Sequence, residues 1–325
     1  MLSRIAESLF WIGRYLERAD GTARILDVHL QLLLEDPWLD EDSSCRVLMG
    51  VMGAPVDPEV TRPVTRTEML GRLAYDDAPG SIVGSLRAAR ENARRAREIV
   101  STQMWESLNT THNALAPGRR PSRRPDVFFD WVRERVAVVG GIADASMSRD
   151  QPWHFLVLGR SIERVDMTAR MLASEDLRGA SGPAWALVLR SCGAHEAFLR
   201  AYGAAATEDR AAEFLLLDRM FPRSVVHALL TADGCLAALD QDGAGGFQVA
   251  GAPLVAARRQ GPSDDARRLL GRERTDLEYR PLSDLLADPA AEMDRLQRAV
   301  SAASEAVARR YFPRGPATSW VREIS

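Results

Sequence analysis

Glu17 and Glu163 stand in near-identical surroundings: "GRYLERADGTARIL" from Gly13 to Leu26, and "GRSIERVDMTARML" from Gly159 to Leu172. Nine of the fourteen positions are identical. Five of the nine are charged, Arg14, Glu17, Arg18, Asp20 and Arg24 against Arg160, Glu163, Arg164, Asp166 and Arg170. Paired carboxylates do general acid–base work when their environments drive their pKa values apart. Arginine forks beside them suit a carboxylate or phosphate ligand. Glu17 and Glu163 are therefore the candidate catalytic residues, and the surrounding arginines and aspartates the candidate ligand shell.

A helix must carry each stripe. At about 100° per residue, Gly13, Glu17, Asp20 and Arg24 fall on one narrow face. Ile12, Leu16, Ala19, Ala23 and Leu26 flank it on one side, with Trp11 and Ile25 on the other. A helix apolar on two sides is packed on two sides, so the charged stripe is partly buried or lines a cleft. Buried charge demands pairing, and Asp20–Arg24 and Asp166–Arg170 are i,i+4 partners, with Arg14 three residues before Glu17. A glycine one turn before each glutamate leaves space for a neighbouring helix or a ligand. Two readings follow from the same residues. In one, the charges form internal ion-pair networks; in the other, they face a cleft where burial raises one glutamate's pKa while arginines keep the other ionised.

A second candidate wall is "ARENARRAREIVSTQMWESLN". Read as one unbroken helix, it puts Glu91, Arg94 or Arg95, Glu98, Thr102, Trp105 and Asn109 on one face. Glu91, Arg95, Trp105 and Asn109 are thus further ligand-binding candidates, against the alternative of a solvated face. Other chemistries lack their residues. Two E-x-x-D pairs resemble di-iron helices, but such sites use E-x-x-H, and the five histidines are scattered, so no metal is expected. No G-x-S-x-G, G-x-x-x-x-G-K-[ST] or G-x-G-x-x-G occurs, and no cofactor is expected. All 42 basic residues are arginine, which excludes lysine-based catalysis. Cys45, Cys192 and Cys235 have no C-x-x-C spacing and are expected in the core.

The elements follow the apolar periodicity. Leu2 through Leu33 alternate steps of three and four, a long helix ending before Pro37. Further helices are expected from about Trp38 to Gly50, over a short stretch ending near Tyr75, from "PGSIVGSL" through Asn109 with Asp77 or Ser81 as cap, and from Asp126 to Met147. Trp38 and Cys45 are matched by Trp185 and Cys192, and "PGSIVGSL" by "PRSVVHAL". These ordered matches predict an all-α bundle of two duplicated halves about a pseudo-twofold axis, roughly 1–148 and 149–325. A mobile loop is expected at about 240–266, and an exposed Arg/Pro linker at 113–126. A net charge of −3 gives no reason to expect nucleic acid, and no apolar run is long enough for a membrane span. With no signal-peptide pattern at the start, the expectation is a cytoplasmic protein.

The segments "MLSRIAESLFWIGRYLERADGTARIL", "ARENARRAREIVSTQMWESLN", "GRSIERVDMTARML" and "FLLLDRMFPRSV" together resemble the alpha-E domain family of bacterial proteins, also known as domain of unknown function 403. Glu17-Arg18 and Glu163-Arg164 match its E-R signature. Genes of that family typically lie beside, or are fused to, a circularly permuted ATP-grasp ligase, often with a transglutaminase-like protein. The resemblance therefore implies a helical accessory component of a system that forms peptide or amide bonds. Its ligand would be an acidic or peptide-like small molecule, its partner the ligase. An enzyme using Glu17 or Glu163 as general acid/base, and a purely structural scaffold, are the alternatives.

Overall fold

In the computed structural model, the described residues are 1–59, 61–116, 124–173, 184–203, 207–245 and 266–312. Every regular element among them is a helix. The first, α1 (Ser3–Glu35), runs 33 residues, about 50 Å at 1.5 Å per residue. Its middle is buried all round, including Gly13, Glu17, Asp20 and Gly21 as well as the apolar positions. It ends where Asp36 turns extended, before Pro37. Then come α2 (Glu41–Val51), capped by Asp40 onto the Ser43 amide, and α3 (Arg66–Leu70), which runs on into a π turn at Gly71–Tyr75. Next are α4 (Ile82–Arg95), α5 (Thr102–Ala114) and α6 (Pro125–Ser146). α7 (Gln151–Ala173) carries the second charged stripe. α8 (Ala184–Ser191), α9 (His195–Tyr202), α10 (Glu208–Leu217), α11 (Val225–Gly245), α12 (Ala266–Tyr279), α13 (Leu282–Leu285) and α14 (Pro289–Tyr311) are the remaining helices among the described residues.

The core is built on α1 and α7, which pack on one another more extensively than any other pair. α4 and α6 cover α1; α11 and α14 cover α7. The crossing is close because it is made through glycine. A Cβ on Gly13 would come closer than 3.0 Å to the Leu156 carbonyl oxygen, and one on Gly159 closer than 3.0 Å to that of Phe10. Backbone cannot yield to either. The space each glycine leaves is taken by the backbone of the partner helix.

α6 and α14 both open on proline at the first helical position, where its missing N–H costs nothing. Their buried stripes share one spacing: Phe128, Phe129, Val132, Val139 and Ala143 in α6, and Glu292, Met293, Leu296, Ala303 and Val307 in α14.

Several expectations need correction. The helix expected through Asn109 breaks after Arg95, and Ser101 caps α5 by accepting from the Met104 amide at 3.2 Å. The β-branched Ile99 and Val100 and a ready cap residue favour that break. Ser81, not Asp77, caps α4, accepting from the Gly84 amide at 2.9 Å. α2 starts at Glu41, leaving Trp38 outside the helix and 94% exposed. The loop expected from residue 240 begins later, since α11 continues to Gly245; residues 246–265 and 117–123 lie outside the described residues.

Candidate functional site

The two glutamates do not pair within their own helices; each is held by the other helix. Arg18 of α1 forks onto Glu163, with Nε donating to Oε1 at 2.5 Å and Nη2 to Oε2 at 3.0 Å. Arg164 of α7 forks onto Glu17, with Nε donating to Oε1 at 2.8 Å and Nη2 to Oε2 at 2.6 Å. The remaining Nη1 of Arg18 reaches the Pro79 carbonyl at 3.3 Å, and that of Arg164 the Pro222 carbonyl at 3.1 Å. Each fork thus also ties down the turn that precedes a covering helix. The expected local pair of Arg14 with Glu17 is replaced: Arg14 Nε donates to Glu163 Oε2 at 2.6 Å. The i,i+4 pairs are present, Arg24 on Asp20 at 2.9 Å and Arg170 on Asp166 at 2.8 Å.

Arg24 and Arg170 lie against helix ends. Arg170 donates to the Val51 carbonyl at 2.6 Å, at the end of α2, and Arg24 lies against Gly193, just past α8. A guanidinium at a helix C-terminus meets unsatisfied carbonyls and the negative end of the dipole. Arg170 thus ties the end of α2 to α7 as well as neutralising Asp166, while Arg24 only packs against the turn after α8.

The second acceptor set differs from the first in one residue. Glu163 is completed by Arg14, whose Nη1 also donates to Ser304 of α14 at 2.9 Å. Glu17 is completed instead by Arg223, which donates to Glu17 Oε1 at 2.7 Å and to Asp20 Oδ2 at 2.5 Å. Arg160, at the motif position of Arg14, is released. Its guanidinium hydrogen-bonds to none of the described residues and lines a cavity of about 240 Å³.

That cavity lies on the Glu17 side of the helix pair. Glu17, Asp20 and Arg24 of α1, Arg160 and Arg164 of α7, and Arg223 form its charged wall. The facing wall is Val136, Val139, Gly140, Gly141 and Ala143 of α6, with Met104 of α5; Arg133 and Asp144 of α6 add charge. The sequence motif therefore contributes Glu17, Asp20, Arg24, Arg160 and Arg164 to this cavity. Glu163, Arg14, Arg18, Asp166 and Arg170 do not line it. Arg223, Arg133, Asp144 and the two glycines were missed. Arg223 was nonetheless visible, since "PRSVVHAL" sets it opposite Gly80 of "PGSIVGSL".

The second candidate wall is not part of this site. Glu91 pairs on the exposed surface with Arg94 at 2.8 Å and Arg95 at 3.6 Å. Trp105 lies under Arg90 and Arg97, 5.1 and 5.3 Å from the ring centre, and Asn109 accepts from Arg90 at 3.2 Å. These contacts splice α4 to α5 across the break.

Both glutamates are held ionised. Burial alone would push Glu17 up, but the Arg164 and Arg223 guanidiniums outweigh it and bring it to about 2. Glu163, 1% exposed, is likewise pushed up by burial and pulled lower overall by Arg14 and Arg18. The expected raised glutamate is absent, so neither carboxyl carries a proton to donate near neutral pH. Burial lowers the Arg160 pKa, and the neighbouring Arg164 lowers it further. Glu17 and Asp144 act the other way, and a guanidinium stays charged regardless, so Arg160 is a partly buried cation with opposite charge nearby but no hydrogen-bond acceptor among the described residues. Burial also pushes the Cys192 and Cys235 thiols, next to these arginines, up to about 12, so no thiolate nucleophile is at hand. Among the described residues, no group of three His, Cys, Asp or Glu converges as a metal site would require. None of their helices is long and apolar enough to cross a membrane. What the arrangement can do is bind an anion.

Comparison with known proteins agrees with the helical picture. The chain is 26% identical over 252 residues to the uncharacterized proteins Mb2597 of Mycobacterium bovis and Rv2567 of Mycobacterium tuberculosis. The match covers 70% of this chain but only 28% of each relative, so this chain corresponds to a minor part of those proteins. No solved structure matches it. The model of the Alpha-E family, described as a predicted alpha-helical domain with a conserved ER motif, matches residues 1–312, and the chain belongs to that family.

Proposed function

We propose that the chain is a helical binding component whose Glu17-side cavity takes a small acidic molecule, and that it serves an ATP-grasp-linked system making peptide or amide bonds. The observation that carries the first part is Arg160, a partly buried guanidinium facing a cavity with no acceptor among the described residues. Glu17 and Asp144 offset that charge only through space, and a bound carboxylate or phosphate would add the charge-assisted hydrogen bond it lacks. The second part rests on the gene neighbourhood that goes with the family. A ligase that activates carboxylates has use for a partner that holds an acid. The protein would act in the cytoplasm, beside the ligase and a transglutaminase-like protein.

The same reading takes the chain as a duplication, roughly 1–148 and 149–325, about a pseudo-twofold axis. Its support is reciprocity: Gly13 against Leu156 and Gly159 against Phe10, Arg18 on Glu163 and Arg164 on Glu17, Pro79 and Pro222 as third acceptors. One copy of the glutamate site, at Glu163, is a closed structural lock. The other keeps the lock through Arg223 and frees Arg160 for a ligand. Catalysis by Glu17 is disfavoured because its carboxylate is already spent on two arginines.

The test is thermal unfolding with acetate, benzoate, glutamate and citrate against the neutral acetamide and benzamide. A ligand at a hundredfold excess over its Kd adds about 2.7 kcal/mol, a shift of about 4 °C at this size. No shift with any acid, or equal shifts with the amides, rejects the binding role. Co-expression with the neighbouring ATP-grasp protein should give a co-purifying complex; its absence rejects the assignment to that system while leaving the cavity's role standing.

A further inference from the structure

The cavity's charges are not equally available, and that restricts what fits it. Arg164 and Arg223 are committed to Glu17, Arg223 and Arg24 to Asp20, and Arg133 to Asp27 at 3.4 Å and to Asp130. One cation remains, Arg160. Opposite it, α6 and α5 present the apolar Val136, Val139, Ala143 and Met104, with the Asp144 carboxylate the one acidic group among the described residues on that side. The cavity thus has one position for a negative group, an apolar face along α6 and α5, and an acidic residue, Asp144, that disfavours a second negative charge.

Gly140 and Gly141 make the room. Two consecutive glycines inside a 22-residue helix weaken it, and packing does not call for them: a Cβ on either meets nothing within 4 Å. Gly13, Gly21, Gly84 and Gly159 are different, since in each of them a Cβ would meet neighbouring atoms closer than 3.0 Å. When the buried stripes of α6 and α14 are laid in register, Gly140 falls on Ser304, the residue that takes the free end of Arg14. At this position α6 offers neither a hydroxyl for Arg160 nor a side chain to fill the space.

Resting on the binding role proposed above, we infer that the ligand is a monoanion with a short apolar body, its acid group on Arg160 and its body against α6 where Gly140 leaves the helix bare. A 240 Å³ cavity suits about ten non-hydrogen atoms, scaling from the 150 Å³ that hold benzene. A six-carbon straight-chain acid or an aromatic acid has these dimensions. Inorganic phosphate and citrate do not: the first has no body, the second too many charges.

The experiment titrates acetate, butyrate, hexanoate, benzoate, inorganic phosphate and neutral hexanamide into the full chain, and into Gly140→Ala, Gly140→Leu and Arg160→Met. Hexanoate is expected to bind tighter than acetate by about fourfold per added methylene. Gly140→Ala should weaken hexanoate and Gly140→Leu should abolish its binding, with neither variant melting lower than the parent. Arg160→Met should lose every acid. Affinity flat across the acid series, phosphate as tight as hexanoate, or hexanoate bound equally by Gly140→Leu would overturn the inference while an Arg160-dependent site survives. Binding of no acid by the parent overturns the binding role itself.

Discussion

Arg164 of α7 closes a two-pronged ion pair on Glu17 of α1, at 2.8 and 2.6 Å, while Arg18 of α1 does the same to Glu163 of α7. Each central helix therefore supplies the anion for the other's cation. The E-R pair is a clamp between helices before it is anything else.

The clamp sets the first prediction. Glu163→Gln leaves Arg14 and Arg18 facing a neutral group in a sealed site, and should cost ~3–5 kcal/mol. Urea denaturation measures it. A loss under ~1 kcal/mol would mean that water reaches the pair.

Glycines at the crossing and glycines at the cavity should respond oppositely. Gly13→Ala drives a methyl into the Leu156 carbonyl and should cost ~3 kcal/mol. Gly140→Ala meets open space and should gain up to ~1 kcal/mol from helix propensity. Equal effects would contradict the assignment of the first to packing and the second to space.

Acid should weaken the fold in two stages. His29 is buried, and burial lowers its pKa from 6.5 to about 4. The unfolded chain thus takes up the proton first, so this stability is complete above pH 6.5 and is lost as pH falls towards 4. The change is ~3 kcal/mol. Glu17, lowered from 4.5 to about 2, adds a second loss below pH 4.5. In His29→Leu the loss between pH 6.5 and 4 should disappear; an unchanged slope there would contradict the burial of a neutral imidazole.

Burial pushes the Cys45 thiol up to about 11 and those of Cys192 and Cys235 up to about 12. None should react with an aromatic disulfide reagent at pH 8 in the folded protein, and all three should react in guanidinium. Rapid labelling of the native chain would place one of them at an accessible, reactive site.

Much of this was legible in the sequence because it is local. The helices and the Asp20–Arg24 and Asp166–Arg170 pairs follow from one period of 3.6. The partners of Glu17 and Glu163 were not legible, because they come from the opposite central helix and, for Arg223, from the turn before α11, and spacing within one helix cannot find them. The break between α4 and α5 was masked by an apolar period that continues through it. Arg223 and the glycine pair in "VAVVGGIAD" were printed in plain view. Their meaning depends on Arg160 lining the same cavity, which only the packing of α6 on α1 reveals.

The central claim is that Arg160 holds a ligand while Arg14, its counterpart in the repeated motif, holds the fold. Calorimetric titration of benzoate into the parent, Arg160→Met and Arg14→Met, beside urea denaturation of all three, separates the roles. Arg160→Met should lose benzoate binding and keep or raise its stability. Arg14→Met should bind benzoate as the parent does while unfolding at lower urea. Benzoate binding retained in Arg160→Met, or lost only in Arg14→Met, would contradict the account.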